Sequence, residues 1–214
     1  MHSEEEQLES LKEWWNKNGK SLVVGVVVAV AGVGGWKGWE SYQLSQAESA
    51  SQLYTELNQV VLSDSGDQRQ QQADELINRL TSEFEGSVYS DYARLFAARL
   101  AVERDALDEA QAHLRGALEN TKVDAIELVV RLRLARILNS QEKVEEALSL
   151  LDVADAGGFT ADFQSLRGDL LMLKGDALQA REAYQRALDA SRATGDSTPL
   201  VEMKLDSLAA QEDA

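Results

Sequence analysis

The chain has no cysteine, and a single proline, Pro199, among its 214 residues. Without cysteine there is no disulfide framework, no thiol nucleophile and no thiolate metal site. There are two histidines, His2 and His113. His113 stands mid-helix between Ala112 and Leu114, so it reads as a surface or structural residue, and no Ser-His-Asp or Cys-His set can be assembled. No glycine-rich phosphate loop is present. Ser63-Asp64-Ser65-Gly66-Asp67 lacks the alternating ligands and final glutamate of a calcium loop, and reads as a polar turn between helices. No carboxylate pair is set apart for acid–base work. The sequence therefore predicts no enzyme, no cofactor and no metal.

Positive charge is also scarce. Lys and Arg total 21 against 37 Asp and Glu, a net charge of −16. Residues 38–214 hold 17 of the basic and 32 of the acidic residues, a net −15, which disfavours nucleic acid as a partner. β-Branched residues thin out after residue 62, while Ala, Leu, Glu, Gln and Arg dominate. Such a composition predicts helices throughout.

One stretch departs from this polar background. Ser21 to Trp36, SLVVGVVVAVAGVGGW, has no charged residue and is flanked by Lys20 and Lys37. All four tryptophans stand at its ends: Trp14 and Trp15 before, Trp36 and Trp39 after. At ~1.5 Å per helical residue, Trp15 to Trp36 spans about 31 Å, matching the roughly 30 Å hydrocarbon core of a bilayer. Tryptophan favours the interface because its ring is apolar and its N–H wants a polar partner. Lys37 can extend its ammonium to water, which brings the span to residues 21–39. Lys12, Lys17 and Lys20 precede the span, whereas after Lys37 the next basic residue is Arg69. The positive side stays in the cytoplasm. The expected layout is a cytoplasmic segment 1–20, a transmembrane helix 21–39 and an exported domain 40–214.

The alternative is a signal peptide cleaved after Ala29-Val30-Ala31. A leader with five glutamates, and an apolar run that continues past that site to Trp36-Lys37-Gly38-Trp39, weigh against it. Small residues Ala31 and Gly35, and Gly34 and Gly38, are spaced so that a second helix could approach closely. Glycine is also common in membrane helices generally, so both readings stand. Glu4 to Lys17 is expected to form a helix with Leu8, Leu11 and Trp15 on one face, ended by Asn18-Gly19.

The exported part carries a recurring spacing of small residues. Ala98, Ala110 and Ala117 form one set, Ala135, Ala147 and Ala154 a second, and Gly168, Ala180 and Ala187 a third. Each set has gaps of twelve and seven, and successive sets are offset by 37 and 33 residues. Two antiparallel helices pack closely only where small residues meet at the crossing, and a third small residue admits the next pair. Leucines such as Leu114, Leu138, Leu151, Leu170 and Leu173 fill the stripe between them. Turns are expected at Glu103-Arg104-Asp105, Asn139-Ser140-Gln141 and Lys174-Gly175-Asp176. This pattern resembles the tetratricopeptide repeat, most closely over residues 166–188. Repeats are expected near 91–121, 128–158 and 161–192. A degenerate hairpin is expected over 43–85, where Val61 and Leu80 replace small residues. A capping helix over 198–210 starts at Ser197-Thr198-Pro199. The fold class is all-α: one transmembrane helix followed by a helical-hairpin solenoid.

The first helix of each pair lines the concave face of such an array. On this alignment that face holds Tyr92, Phe96, Arg99, Arg133, Arg136, Asn139, Asp169 and Met172, a mix of aromatic, arginine and methionine common in interfaces. The lysine and asparagine clamp that some repeats use for a C-terminal carboxylate is not recognisable.

Anchor and repeats together resemble the YfgM-type family of ancillary SecYEG translocon subunits. Residues 18–43, 131–138 and 165–184 carry the resemblance, and Leu57 to Glu85 carries little of it. The resemblance implies a cell inner membrane protein with its repeat domain in the periplasm. It implies as partners the SecYEG translocon and a membrane-anchored periplasmic chaperone of the peptidyl-prolyl isomerase class. The implied role in protein translocation is to pass newly translocated chains to periplasmic chaperones. Direct contact with unfolded client proteins is left open. Two other functions are compatible with the residues: an oligomerising scaffold of the cell envelope, or an outer-membrane assembly scaffold if the apolar segment is a cleaved leader.

Overall fold

The computed structural model describes residues 4–63, 66–196 and 198–212. His2, Asp64, Ser65 and Ser197, noted above, lie outside them. Among the described residues there are nine α-helices, one turn of 3-10 helix and no strand. The chain forms two compact units, divided between Ser49 and Ala50.

Helix α1, Glu4–Leu62, is continuous across the expected stop at Asn18-Gly19. Gly19 is not a terminator here. A Cβ at Gly19 would lie 3.1 Å from two indole atoms of Trp15, one turn earlier, so the glycine makes room for the ring. Asn18 spends its side-chain amide on the Trp14 carbonyl at 3.2 Å instead of ending the helix. Within the first unit the apolar stretch has no packing partner among the described residues: Val24, Val27, Val28, Val30 and Val33 are each at least 60% exposed. Leaving five valines open to water forfeits about 1.5 kcal/mol or more apiece. A hydrocarbon surrounding recovers that cost, and within it an α-helix satisfies its own backbone.

The second unit begins with the last turns of α1. Ala50, Leu53, Leu57 and Val61 bury themselves with Ala73, Leu76, Ile77 and Leu80 of α2, Asp67–Glu83, and with Ala93, Ala97 and Leu100 of α3, Val88–Glu103. Val61 and Leu80 are buried although neither is small. The chain continues through α4, Leu107–Asn120, and α5, Asp124–Ser140. Then follow α6, Val144–Leu150; α7, Thr160–Leu173; α8, Ala177–Thr194; and α9, Pro199–Glu212. From α2 onward each helix packs on the next; beyond neighbours, α5 also meets α7. That is the contact pattern of a solenoid of hairpins.

The small residues do what their spacing requires. Ala98, Ala110, Ala117, Ala135, Ala147, Ala180 and Ala187 are buried, and so is Gly168. Ala154 is the exception and corrects the second set. Helix α6 ends at Leu150, so Ala154 lies beyond it and is exposed, and Ala156 is buried in its stead. Leu173 also departs from expectation: it points outward at 65% exposure, at the end of α7.

The three hairpin turns share one hydrogen-bond pattern. Asp105, Glu142 and Gly175 take left-handed backbone conformations, with φ of 60°, 62° and 79°. In each, the next amide bonds back five residues: Ala106 to the Ala101 carbonyl, Lys143 to Leu138 and Asp176 to Leu171, all at 2.9 Å. This is the six-to-one bond that closes a Schellman-type helix end.

Candidate partner-binding groove

Helix α3 places Tyr89, Tyr92 and Phe96 on one stripe, spaced three and four residues apart. Tyr54, near the end of α1, meets all three. Its ring centroid lies 5.5 Å from Tyr89, 5.5 Å from Tyr92 and 5.9 Å from Phe96, each tilted by about 40°. Such tilted pairs add to simple burial. Burial, and then the neighbouring Tyr92 and Tyr89, push the Tyr54 phenol above its ordinary pKa, so it stays neutral.

Two cavities open along this stripe. The first, about 410 Å³, has walls from Tyr54, Tyr92 and Phe96 on one side and Ile126, Val129 and Phe159 on the other. The second, about 540 Å³, lies among Ala98, Val102, Leu107, Leu114 and Ile137. Leu95, Arg99 and Arg133 border both, so the two are halves of one groove between α3 and α5.

Its charges are unequally matched. Glu103 accepts from Arg69 at 2.7 Å and from Arg99 at 3.0 Å. The Arg69 bond, more than its other neighbours, holds the Glu103 carboxyl below the usual carboxylate range. Arg136 reaches Asp162 at 3.3 Å. Arg133 has no ion pair among the described residues; the charges that act on it are the guanidiniums of Arg136 and Arg99. Arg133 is exposed to water; partial burial, and then the repulsion of Arg136 and Arg99, nonetheless lower its pKa.

The tetratricopeptide repeat-like domain family matches residues 12–210 of this chain. Curated relatives cover nearly the same length. A protein of Escherichia coli named ancillary SecYEG translocon subunit is 32% identical over 96% of this chain and 97% of its own. One of the same name from Aggregatibacter actinomycetemcomitans is 30% identical, over 96% and 97%. A third, from Haemophilus influenzae, is 28% identical over 86% and 88%. This chain belongs to the ancillary SecYEG translocon subunit family.

In this family member the eight residues expected on the concave face divide. Tyr92, Phe96, Arg99, Arg133 and Arg136 line the groove. Asn139 does not; it is half-buried at the end of α5, with its side-chain oxygen unpartnered among the described residues. Asp169 and Met172 belong with α9. Asp169 accepts from the Tyr184 hydroxyl at 2.7 Å and from Lys204 Nζ at 2.5 Å. Met172 borders a smaller cavity with Tyr184, Met203, Lys204 and Leu208. The aromatic wall also includes Tyr54 and Phe159, which repeat alignment does not reach. Tyr54 falls in the degenerate hairpin ahead of the three clear repeats, and Phe159 lies in a 3-10 turn, Gly157–Phe159, between two of them. On α1, Ala31, Gly34, Gly35 and Gly38 are exposed, and a Cβ added at any of the three glycines would meet nothing within 4 Å.

Proposed function

We propose that this chain is a single-pass inner-membrane accessory of the SecYEG translocon that performs no chemistry of its own. Residues 21–39 form the anchor, residues 1–20 stay in the cytoplasm, and the repeat domain works in the periplasm. The proposed partner there is a membrane-anchored chaperone of the peptidyl-prolyl isomerase class, to which newly translocated chains are passed. The observation that carries this reading is the joining, in one polypeptide, of an exposed valine-rich helix to a hairpin array with an open aromatic and arginine groove. An apolar helix with tryptophans at both ends is suited to lipid. An array of hairpins offers a long concave surface to another protein and has no need of a catalytic group. Ala31, Gly34, Gly35 and Gly38 form the face on which a neighbouring membrane helix would settle.

Affinity purification from detergent-solubilised membranes tests the reading. SecYEG and an isomerase-type chaperone should be recovered and identified by mass spectrometry. Recovery of the intact chain with neither overturns it. Protease added to spheroplasts should digest the repeat domain; a protected C-terminal part overturns the topology.

A further inference from the structure

We infer that the groove between α3 and α5 takes an extended peptide segment of a partner protein that combines an acidic residue with a flanking aromatic or aliphatic one. This deepens the reading of the groove as a partner surface and rests on it.

The argument starts from charge. The exported part carries 32 acidic residues against 17 basic ones, so most of its surface repels acidic polypeptides. The groove is a local exception. Arg99, Arg133 and Arg136 line it, Arg69 reaches its Glu103 from α2, and Glu103 and Asp162 are their acidic neighbours. Each of those carboxylates is already engaged. Arg133 borders both cavities, has no acidic partner among the described residues, and shares the groove lining with Arg99 and Arg136. A guanidinium between apolar walls, with like charges beside it, gains most from an incoming carboxylate, which can take two parallel N–H bonds. The carboxylate would also relieve the repulsion among Arg99, Arg133 and Arg136.

The apolar requirement follows from the cavity on either side. Tyr54, Tyr92, Phe96 and Phe159 offer ring faces and edges to an aromatic or aliphatic side chain, and Leu114 and Ile137 line the far end. An acidic residue alone would leave those walls wet. An apolar residue alone would leave Arg133 desolvated and unpaired. Neighbouring residues of an extended strand point to opposite sides, so a carboxylate and apolar groups two residues away on the same side fit the alternation of cavity, arginine and cavity.

The test uses the full chain in phosphatidylcholine nanodiscs and two fluorescein-labelled peptides, Ser-Phe-Ser-Glu-Ser-Leu-Ser and the same sequence with lysine for glutamate. Fluorescence anisotropy should show the glutamate peptide binding at least about tenfold more tightly than the lysine one. Arg133→Glu should invert that order. Arg79→Glu, the same change of charge at a residue that lines neither cavity, should leave it unchanged. Unfolding followed by circular dichroism verifies that each variant is folded. Equal binding of both peptides, no binding of either at about 1 mM, or an order unmoved by Arg133→Glu overturns the inference. Recovery of SecYEG on affinity purification is a separate readout: it can hold while the peptide preference fails, and then only the groove's occupant is wrong.

Discussion

The third hairpin, α7–α8, and the first two, α3–α4 and α5–α6, solve the same packing problem differently. At one register the three hold Ala98, Ala135 and Gly168; at a second, Leu114, Leu151 and Tyr184; at a third, Arg99, Arg136 and Asp169. Where leucine stands at the second register, alanine suffices opposite. Where tyrosine stands there, only glycine fits: a Cβ on Gly168 would stand 2.5 Å from Cδ1 and 2.8 Å from Cζ of Tyr184. The ring cannot retreat, because its hydroxyl is tied to Asp169 and Lys204 lies 5.5 Å above its face. Burial and the Asp169 bond raise the Tyr184 pKa, which keeps the phenol a donor. The third hairpin therefore closes its own groove register with α9, while the first two leave theirs open.

The sharpest way to break this comparison is Gly168→Ala. Overpacking a rigid site costs about 3 kcal/mol, at the upper end of the usual range, and should lower the thermal midpoint of the chain in nanodiscs. Adding Tyr184→Leu recreates the pairing of the first two hairpins. The double variant should be more stable than Gly168→Ala alone, with a coupling of about 1–2 kcal/mol. Strict additivity would mean that the glycine and the tyrosine are independent.

Asp169 tests the same contrast at its second point. It is a partly buried carboxylate that joins α7, α8 and α9. Asp169→Ala leaves both the tyrosine hydroxyl and the lysine without their acceptor and should cost about 2 kcal/mol. Arg99→Ala and Arg136→Ala, at the matching register, remove exposed pairs and should each cost under about 0.5 kcal/mol. Hydrogen exchange should show α9 amides losing protection in Asp169→Ala alone.

How much of this could be read from sequence depends on how local each signal is. Hairpin turns and alanine crossings are legible because spacing along one helix fixes which side chains share its face. The short α6 is not. Ala154 keeps the expected interval, but two aspartates and Gly157-Gly158 follow Leu151 closely and end the helix first. The groove is partly legible: the Tyr89-Tyr92-Phe96 stripe lies within α3. Its closure by Tyr54 is a contact between segments 35 residues or more apart, and no period announces it. The register of Asp169, shared with Arg99 and Arg136, predicts the open face; only the arrival of Lys204 from α9 gives it another task.

The turns sharpen the comparison further. The third hairpin has glycine at its left-handed position, Gly175, where the first two have Asp105 and Glu142. A side chain in that region is strained, and glycine relieves it. Glu142→Gly should therefore stabilise the chain by about 0.5–1 kcal/mol, less than the strain relieved because glycine also loosens the unfolded chain. Gly175→Ala should destabilise by a similar amount, since open space around it leaves backbone conformation as the sole penalty.

The smallest effect concerns two carboxylates that occur only in the first hairpin: Asp91, matched by Leu128 and Ala161, and Glu103, matched by Ser140 and Leu173. Asp91 is buried with Oδ1 unpartnered among the described residues, and burial raises its pKa above 3.8. The folded state thus holds its proton longer than the unfolded chain does. That contribution is full below 3.8 and is lost as pH rises through the folded value. Glu103 has the opposite sign: its contribution is present above 4.5 and disappears as pH falls through its lower folded value. Thermal midpoints between pH 3 and pH 7 separate the two. Asp91→Asn should remove the loss on the rising side and raise stability at pH 7 by under about 1 kcal/mol, although the start of α3 is a favourable place for negative charge. Glu103→Gln should shrink the loss at the acid end. If Asp91→Asn lowered the midpoint at pH 7, the unpartnered oxygen would not be a burden, and the first hairpin would owe its acid response to Glu103 alone.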